Sequence, residues 1–205
     1  MKWKRKCALL VLFSGLALAF PDPCLGEKGK QEPTSVVEDE SLAEVKVELE
    51  ALFARIQESK LPAKLFEAKA REGIVKKVPA KKILAALVTL EKRCVTASTL
   101  LTKAGLKATE PNIELAVSLL AAGLQESELA KLLGGISAGK LDPSYDEKAL
   151  LIALVLTETG GNGPGAVTTV VDLVKTRGQK GIDSWFEKNK GSKKGKKPGK
   201  AKGKG

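Results

Sequence analysis

From Ile83 to Ala104 apolar residues recur at Ile83, Leu87, Leu90, Cys94, Ala97, Leu101 and Ala104. The steps alternate four and three through three full heptads, the spacing that places every one of them on a single stripe of an α-helix. Pro79 stands just ahead, in the first turn, where a proline loses nothing because that amide has no intrahelical partner. A helix of this length with one apolar stripe must find other helices to cover it. This fixes the class of the chain before anything else does: an all-α protein.

The same periodicity recurs on either side. Leu42, Val45, Leu49, Leu52 and Ile56 form one stripe of an amphipathic helix beginning near Glu38. Pro62 opens a short helix, LPAKLFEAKARE. Pro111 to Ala122 is apolar nearly all round, as in a buried helix, and Glu126 to Leu133 is a short one. Ala149 to Leu156 reads ALLIALVL. Its leucine and alanine content, with Asp146 and Glu147 ahead of it, favours helix over buried strand. Val167, Val170, Val171 and Val174 step by three and four, and Ile182, Trp185 and Phe186 close the fold. Five glycine–aliphatic pairs punctuate these segments: Gly73-Ile74, Gly105-Leu106, Gly123-Leu124, Gly135-Ile136 and Gly181-Ile182. The first four follow a helical stretch and read as helix stops, a left-handed glycine with the aliphatic residue folding back on the last turn. Gly181 precedes one. Their uneven spacing describes an irregular array of helical hairpins, with no regular repeat.

The ends have a different composition. MKWKRK followed by the apolar run Cys7 to Phe20 has the form of a secretory signal peptide, the run being shorter than the roughly 20 residues that span a bilayer. Cleavage after Ala19 or after Gly26 fits. Lipidation of Cys24 is a third route, opposed by Asp22 and Pro23 where aliphatic or small residues are needed. The expected organisation is a signal peptide over 1–26, a flexible lead-in over 27–37, a helical domain over 38–187 and a disordered Lys/Gly-rich tail over 188–205. The implied location is periplasmic or secreted, with no transmembrane segment left after cleavage.

Formal net charge is +11, but its distribution carries more than its total. Residues 7–187 hold 22 basic and 24 acidic residues, a net of −2. The tail holds Lys188, Lys190, Lys193, Lys194, Lys196, Lys197, Lys200, Lys202 and Lys204, with no acid and no aromatic. Such a chain binds polyanions through counterion release without reading sequence. Anionic phospholipid, lipopolysaccharide phosphates, teichoic acids and DNA are the partners it fits. A second basic stretch, Lys60 to Lys82, sets eight positive charges against Glu67 and Glu72.

The run KAREGIVKKVP, Lys69 to Pro79, followed by a long apolar helix, resembles an element of uncharacterised exported helical proteins of Gram-negative bacteria. The matching residues are Lys69, Ala70, Glu72, Gly73, Lys76, Val78 and Pro79, and the likeness covers Leu61 to Ala104. It implies an exported helical protein and brings no activity or protein partner with it.

Chemistry is constrained mainly by what is missing from the sequence. With no histidine, Ser-His-Asp and Cys-His catalysis and the commonest zinc sets are excluded. No phosphate-binding glycine motif, metal set or cofactor motif is present. Cys94 lies on the apolar stripe, as a small buried hydrophobe does. Glu158, in TETGGNGPGAV, resembles the catalytic-glutamate region of lytic transglycosylases, which implies a general acid in a cell-wall hydrolase. The Gly-Leu-Met-Gln element of that family is replaced by Thr168, Thr169 and Val170. The reading that emerges is a non-enzymatic interaction or structural protein of the envelope, with the hydrolase as its alternative.

Overall fold

The long heptad helix forms as the spacing requires. In a computed structural model describing residues 36–160 and 162–189, it runs from Ala80 to Lys103 and becomes the spine of an all-α fold. Seven α-helices and no strand occur among the described residues: α1 Lys46–Glu58, α2 Ala63–Val75, α3 Ala80–Lys103, α4 Glu110–Ala121, α5 Glu126–Ala138, α6 Pro143–Gly160 and α7 Gly163–Asn189. Two 3-10 turns, Val36–Glu38 and Glu40–Val45, precede α1.

Spine α3 buries Ala80, Ile83, Leu87, Cys94, Ala97 and Leu101, while Leu90 and Ala104 pack at its margin. A leucine or isoleucine buried in this way stabilises the fold by about 1.5–3 kcal/mol. Helices α2 and α4 flank the spine, and α5 and α1 also touch it. The order continues from α4 to α6 and from α6 to α7, with α5 packed between α3 and α7. Helices α2–α3, α3–α4 and α6–α7 therefore pair as consecutive hairpins, while α4 pairs with α6 and α5 with α7, which makes the array irregular.

Local chemistry sets the helix starts. The Thr109 hydroxyl accepts from the Asn112 amide at the head of α4, and Glu128 Oε2 accepts from the Gln125 amide at the head of α5 (3.1 Å). Asp142 Oδ1 accepts from Ser144 N (3.0 Å) as α6 begins. In α7 the β-branched run is helical because Val167, Val170 and Val174 are buried, and Thr168 and Thr169 turn their hydroxyls onto the carbonyls of Pro164 and Gly165, at 3.0 and 2.8 Å.

Two of the expected helix stops fall where they were read. Gly105 and Gly123 have φ of 78° and 98°, and Leu106 N and Leu124 N reach back to Leu101 O and Leu119 O, each at 3.0 Å. The other two do not. Gly73 and Gly135 lie inside α2 and α5, and the left-handed residues that stop those helices are Lys77 and Lys140, with φ of 54° and 48°. Lys60, φ 52°, stops α1 in the same way. Val78 N and Leu61 N close the motif on Gly73 O (2.9 Å) and Ile56 O (3.0 Å). Gly73 is instead a point of close approach, since a Cβ there would come 2.7 Å from Cγ1 of Ile83.

Three boundaries also move. The first stripe starts as 3-10 structure, and Val36, expected in the lead-in, is buried. Helix α5 runs five residues past the expected Leu133, and α7 is interrupted at Gly178, whose φ of 54° and ψ of −142° are not helical. The helix after that break extends to Asn189, so Lys188 belongs to a last helical turn and not to the tail.

Candidate functional site

Of the nine lysines expected to bind polyanions, Lys188 is described, and it is exposed. Lys190, Lys193, Lys194, Lys196, Lys197, Lys200, Lys202 and Lys204 lie outside the described residues, as do the expected signal peptide and most of the lead-in. The segment leading to these lysines packs on the body. Beyond Gly178, Ile182 is buried and Trp185 meets Phe186 edge to face, ring centroids 5.3 Å apart. Asp183 holds the segment to α6: Tyr145 donates its hydroxyl to Oδ2 at 2.8 Å and Lys148 donates to Oδ1 at 3.1 Å. The Lys148 ammonium also sits 4.1 Å from the centre of the Tyr145 ring. The hydrogen bond to Asp183 pushes the Tyr145 hydroxyl above its ordinary range.

The basic stretch Lys60 to Lys82 does not assemble into one face. Glu72 accepts from Lys69 at 2.8 Å and also from Lys76, and these two bonds hold its carboxyl down at about 2. Lys81 pairs with Glu44 of the second 3-10 turn at 2.7 Å. Lys60 lies in the turn between α1 and α2, while Lys77 and Lys82 lie beyond the far end of α2. Intramolecular pairing and separation leave a solvated, partly neutralised surface there.

Glu158 is exposed in the last turn of α6. The segment after it is a helix junction, in which Asn162 Oδ1 accepts from Gly165 N (3.3 Å) as α7 begins. A glycosidic general acid needs enclosure, and Glu158 has none. Cys94 is fully buried, and burial with a smaller contribution from Glu114 pushes its thiol up to about 12. A thiol so placed is a core residue and no nucleophile. Burial also raises Glu114, beside Glu110, and Asp146, beside Asp142, but these sit on α4 and α6 without a second catalytic group. No cluster of three or more potential metal ligands occurs among the described residues, and none of their helices is long and apolar enough to cross a membrane.

What the sequence reading missed is a separation of charge within the folded body. From Val36 to Glu58 stand Glu38, Asp39, Glu40, Glu44, Glu48, Glu50 and Glu58 against Lys46 and Arg55, a net of −5. Residues 59–189 hold 19 basic and 14 acidic residues, a net of +5. Averaging over the whole body cancelled the two; a running charge along the chain reveals them. Arg55 is committed elsewhere, since its Nε and an Nη grip both oxygens of Glu91 on α3 at 2.8 and 2.9 Å. That bond draws the Glu91 carboxyl below its ordinary range. Beside the acidic helix is an open hollow of about 370 Å³ whose lining includes Val37, Glu38, Lys46, Glu50, Phe53 and Gln57. No protein family, curated protein or solved structure matches the chain.

Proposed function

We propose that this is an exported, non-enzymatic helical protein of the cell envelope, periplasmic or secreted, with an interaction or structural role. Its lysine-rich carboxyl end engages polyanionic surfaces: anionic lipid, phosphorylated envelope polymer or DNA. The observation that carries the reading is the acid-free run of lysines after Asn189, attached to a folded body whose own charges balance. Lysine ammoniums on a glycine-rich chain act as point charges, so affinity comes from counterion release and falls steeply with salt.

The basic stretch on α2 and α3 supplies little of this, because Lys69, Lys76 and Lys81 already have carboxylate partners. Co-sedimentation with anionic vesicles tests the reading. The full chain should bind at low salt and release at high salt, and a chain ending at Asn189 should lose most of the binding. Equal binding by the two would assign the interaction to the helical body.

A further inference from the structure

Helix α1 has an outer face that no other described helix covers. Val47 is 75% exposed, and Ala51 and Ala54 continue the same exposed strip one and two turns on. Glutamates border it: among the described residues Glu38 and Glu58 make no ion pair, and Glu48 makes no direct one but feels the ammonium of Lys81. Glu50 has only Lys46, 3.9 Å away with both side chains more than half exposed. An apolar strip between carboxylates suits one kind of guest: an extended chain of lysines, whose methylene stems lie on Val47, Ala51 and Ala54 while their ammoniums reach the glutamates.

We infer that this face is the docking surface for the lysine-rich segment 190–205 of a second copy, so that copies join head to tail. The inference rests on reading that segment as a polycation, and two observations select the occupant. The first is charge complementarity: a net of −5 over Val36–Glu58 against eight lysines and no acid after Asn189.

The second is reach. Helix α7 packs on α5 and α6, whereas α1 packs on α2, α3 and the 3-10 turns, so α3 and α5 intervene between the two ends. At 8–10 Å per helix layer, the path from α7 through α5 and α3 to α1 covers on the order of 30 Å. Crossing that distance takes roughly nine fully extended residues. Of these eight lysines, a tail folding back on its own α1 therefore brings Lys200, Lys202 and Lys204 to the face. A neighbour's tail lays down all eight. The arrangement is heterologous, because the surface used on one copy differs from that on the other, and it extends as an open chain unless a rotation closes it.

Sedimentation velocity on the protein alone tests this at about 10 mM and about 1 M salt, where the screening length falls from about 30 to about 3 Å. The full chain should form species larger than the monomer at low salt and be monomeric at high salt. Two variants should each be monomeric at both: the chain ending at Asn189, and the full chain carrying Glu48→Lys, Glu50→Lys and Glu58→Lys. Mixed at low salt, they should form a one-to-one complex, since one keeps the acidic face and the other keeps the tail. The corresponding glutamine triple variant, which introduces no new charge on the helix, should also lose self-association.

Three results would overturn the inference. They are a monomeric full chain at low salt, association that persists without the tail, and a mixture that gives no complex because each tail serves its own copy. With no polyanion in the cell, these outcomes leave vesicle binding untouched, and loss of vesicle binding leaves them untouched in turn.

Discussion

Gly135 of α5 lies directly against the side chain of Val171 on α7, so closely that a Cβ on the glycine would fall inside the contact distance of both valine methyl groups. Its neighbour Gly134 points the other way, with nothing within 4 Å of a Cβ placed there. The two adjacent residues should therefore respond oppositely to alanine. Gly134→Ala should stabilise by about 0.5–1 kcal/mol through helix propensity alone. Gly135→Ala should destabilise by about 1–3 kcal/mol, as overpacking does. Urea melts of the two variants provide the check.

Lys60, Lys77 and Lys140 each hold the left-handed conformation at a helix stop. A side chain there costs about 1–2 kcal/mol, offset in part by about 0.3–1 kcal/mol from a cation near the helix carboxyl terminus. Lys77→Gly should therefore raise the urea midpoint. The gain should grow at high salt, where the offset is screened. Gly105→Ala should shift the midpoint the other way.

Leu87 is fully buried on the spine, Leu90 lies at the edge of the core, and Lys92 is exposed. Leu87→Ala should cost about 2–5 kcal/mol, Leu90→Ala less, and Lys92→Ala within about 0.5 kcal/mol of nothing. Denaturant melts that rank Leu90 above Leu87 would contradict the packing described.

Cys94 should resist iodoacetamide in the native protein at pH 8 and react only as fast as the fold opens. Burial raises its thiol in the folded state to about 12, from an ordinary 9.0. The folded protein therefore binds the proton more tightly than the unfolded chain. Stability from this group is complete below pH 9 and is lost as pH climbs from about 9 towards about 12. A Cys94→Ala variant should lack that component of the alkaline slope.

Export with cleavage predicts that the native protein begins at Phe20 or at Glu27. Amino-terminal sequencing decides it, and a mature chain retaining Met1 would contradict the proposed location.

The helices were legible because most have an apolar stripe, and α4 and α6 are rich in leucine and alanine. Ile83 to Leu101 could be read residue by residue, and the burial of Leu42, Val45, Leu49, Leu52 and Ile56 likewise follows from spacing. The stops were half legible. Glycine serves both left-handed turns and close helix approach, and a sequence does not say which. Gly105 and Gly123 turn the chain, whereas Gly73 and Gly135 admit Ile83 and Val171. The lysines that actually turn it, Lys77 and Lys140, bear no compositional mark. For the candidate site, the tail lysines stood out because nothing interrupts them. The acidic face of α1 did not, because its glutamates alternate with Leu49, Leu52 and Ile56 and look like the ordinary solvent side of an amphipathic helix.

The break at Gly178 divides α7 mechanically. The backbone leaves helical φ/ψ there, and Gln179 to Asn189 meets the body through Ile182, Trp185 and Phe186 and through the Tyr145–Asp183–Lys148 clamp. Local opening of that segment would break those contacts while the remaining helices stay packed. The glycine thus acts as a swivel at the root of the lysine run. Opening of the clamp would move the fixed point of the chain from Asn189 back to Gly178.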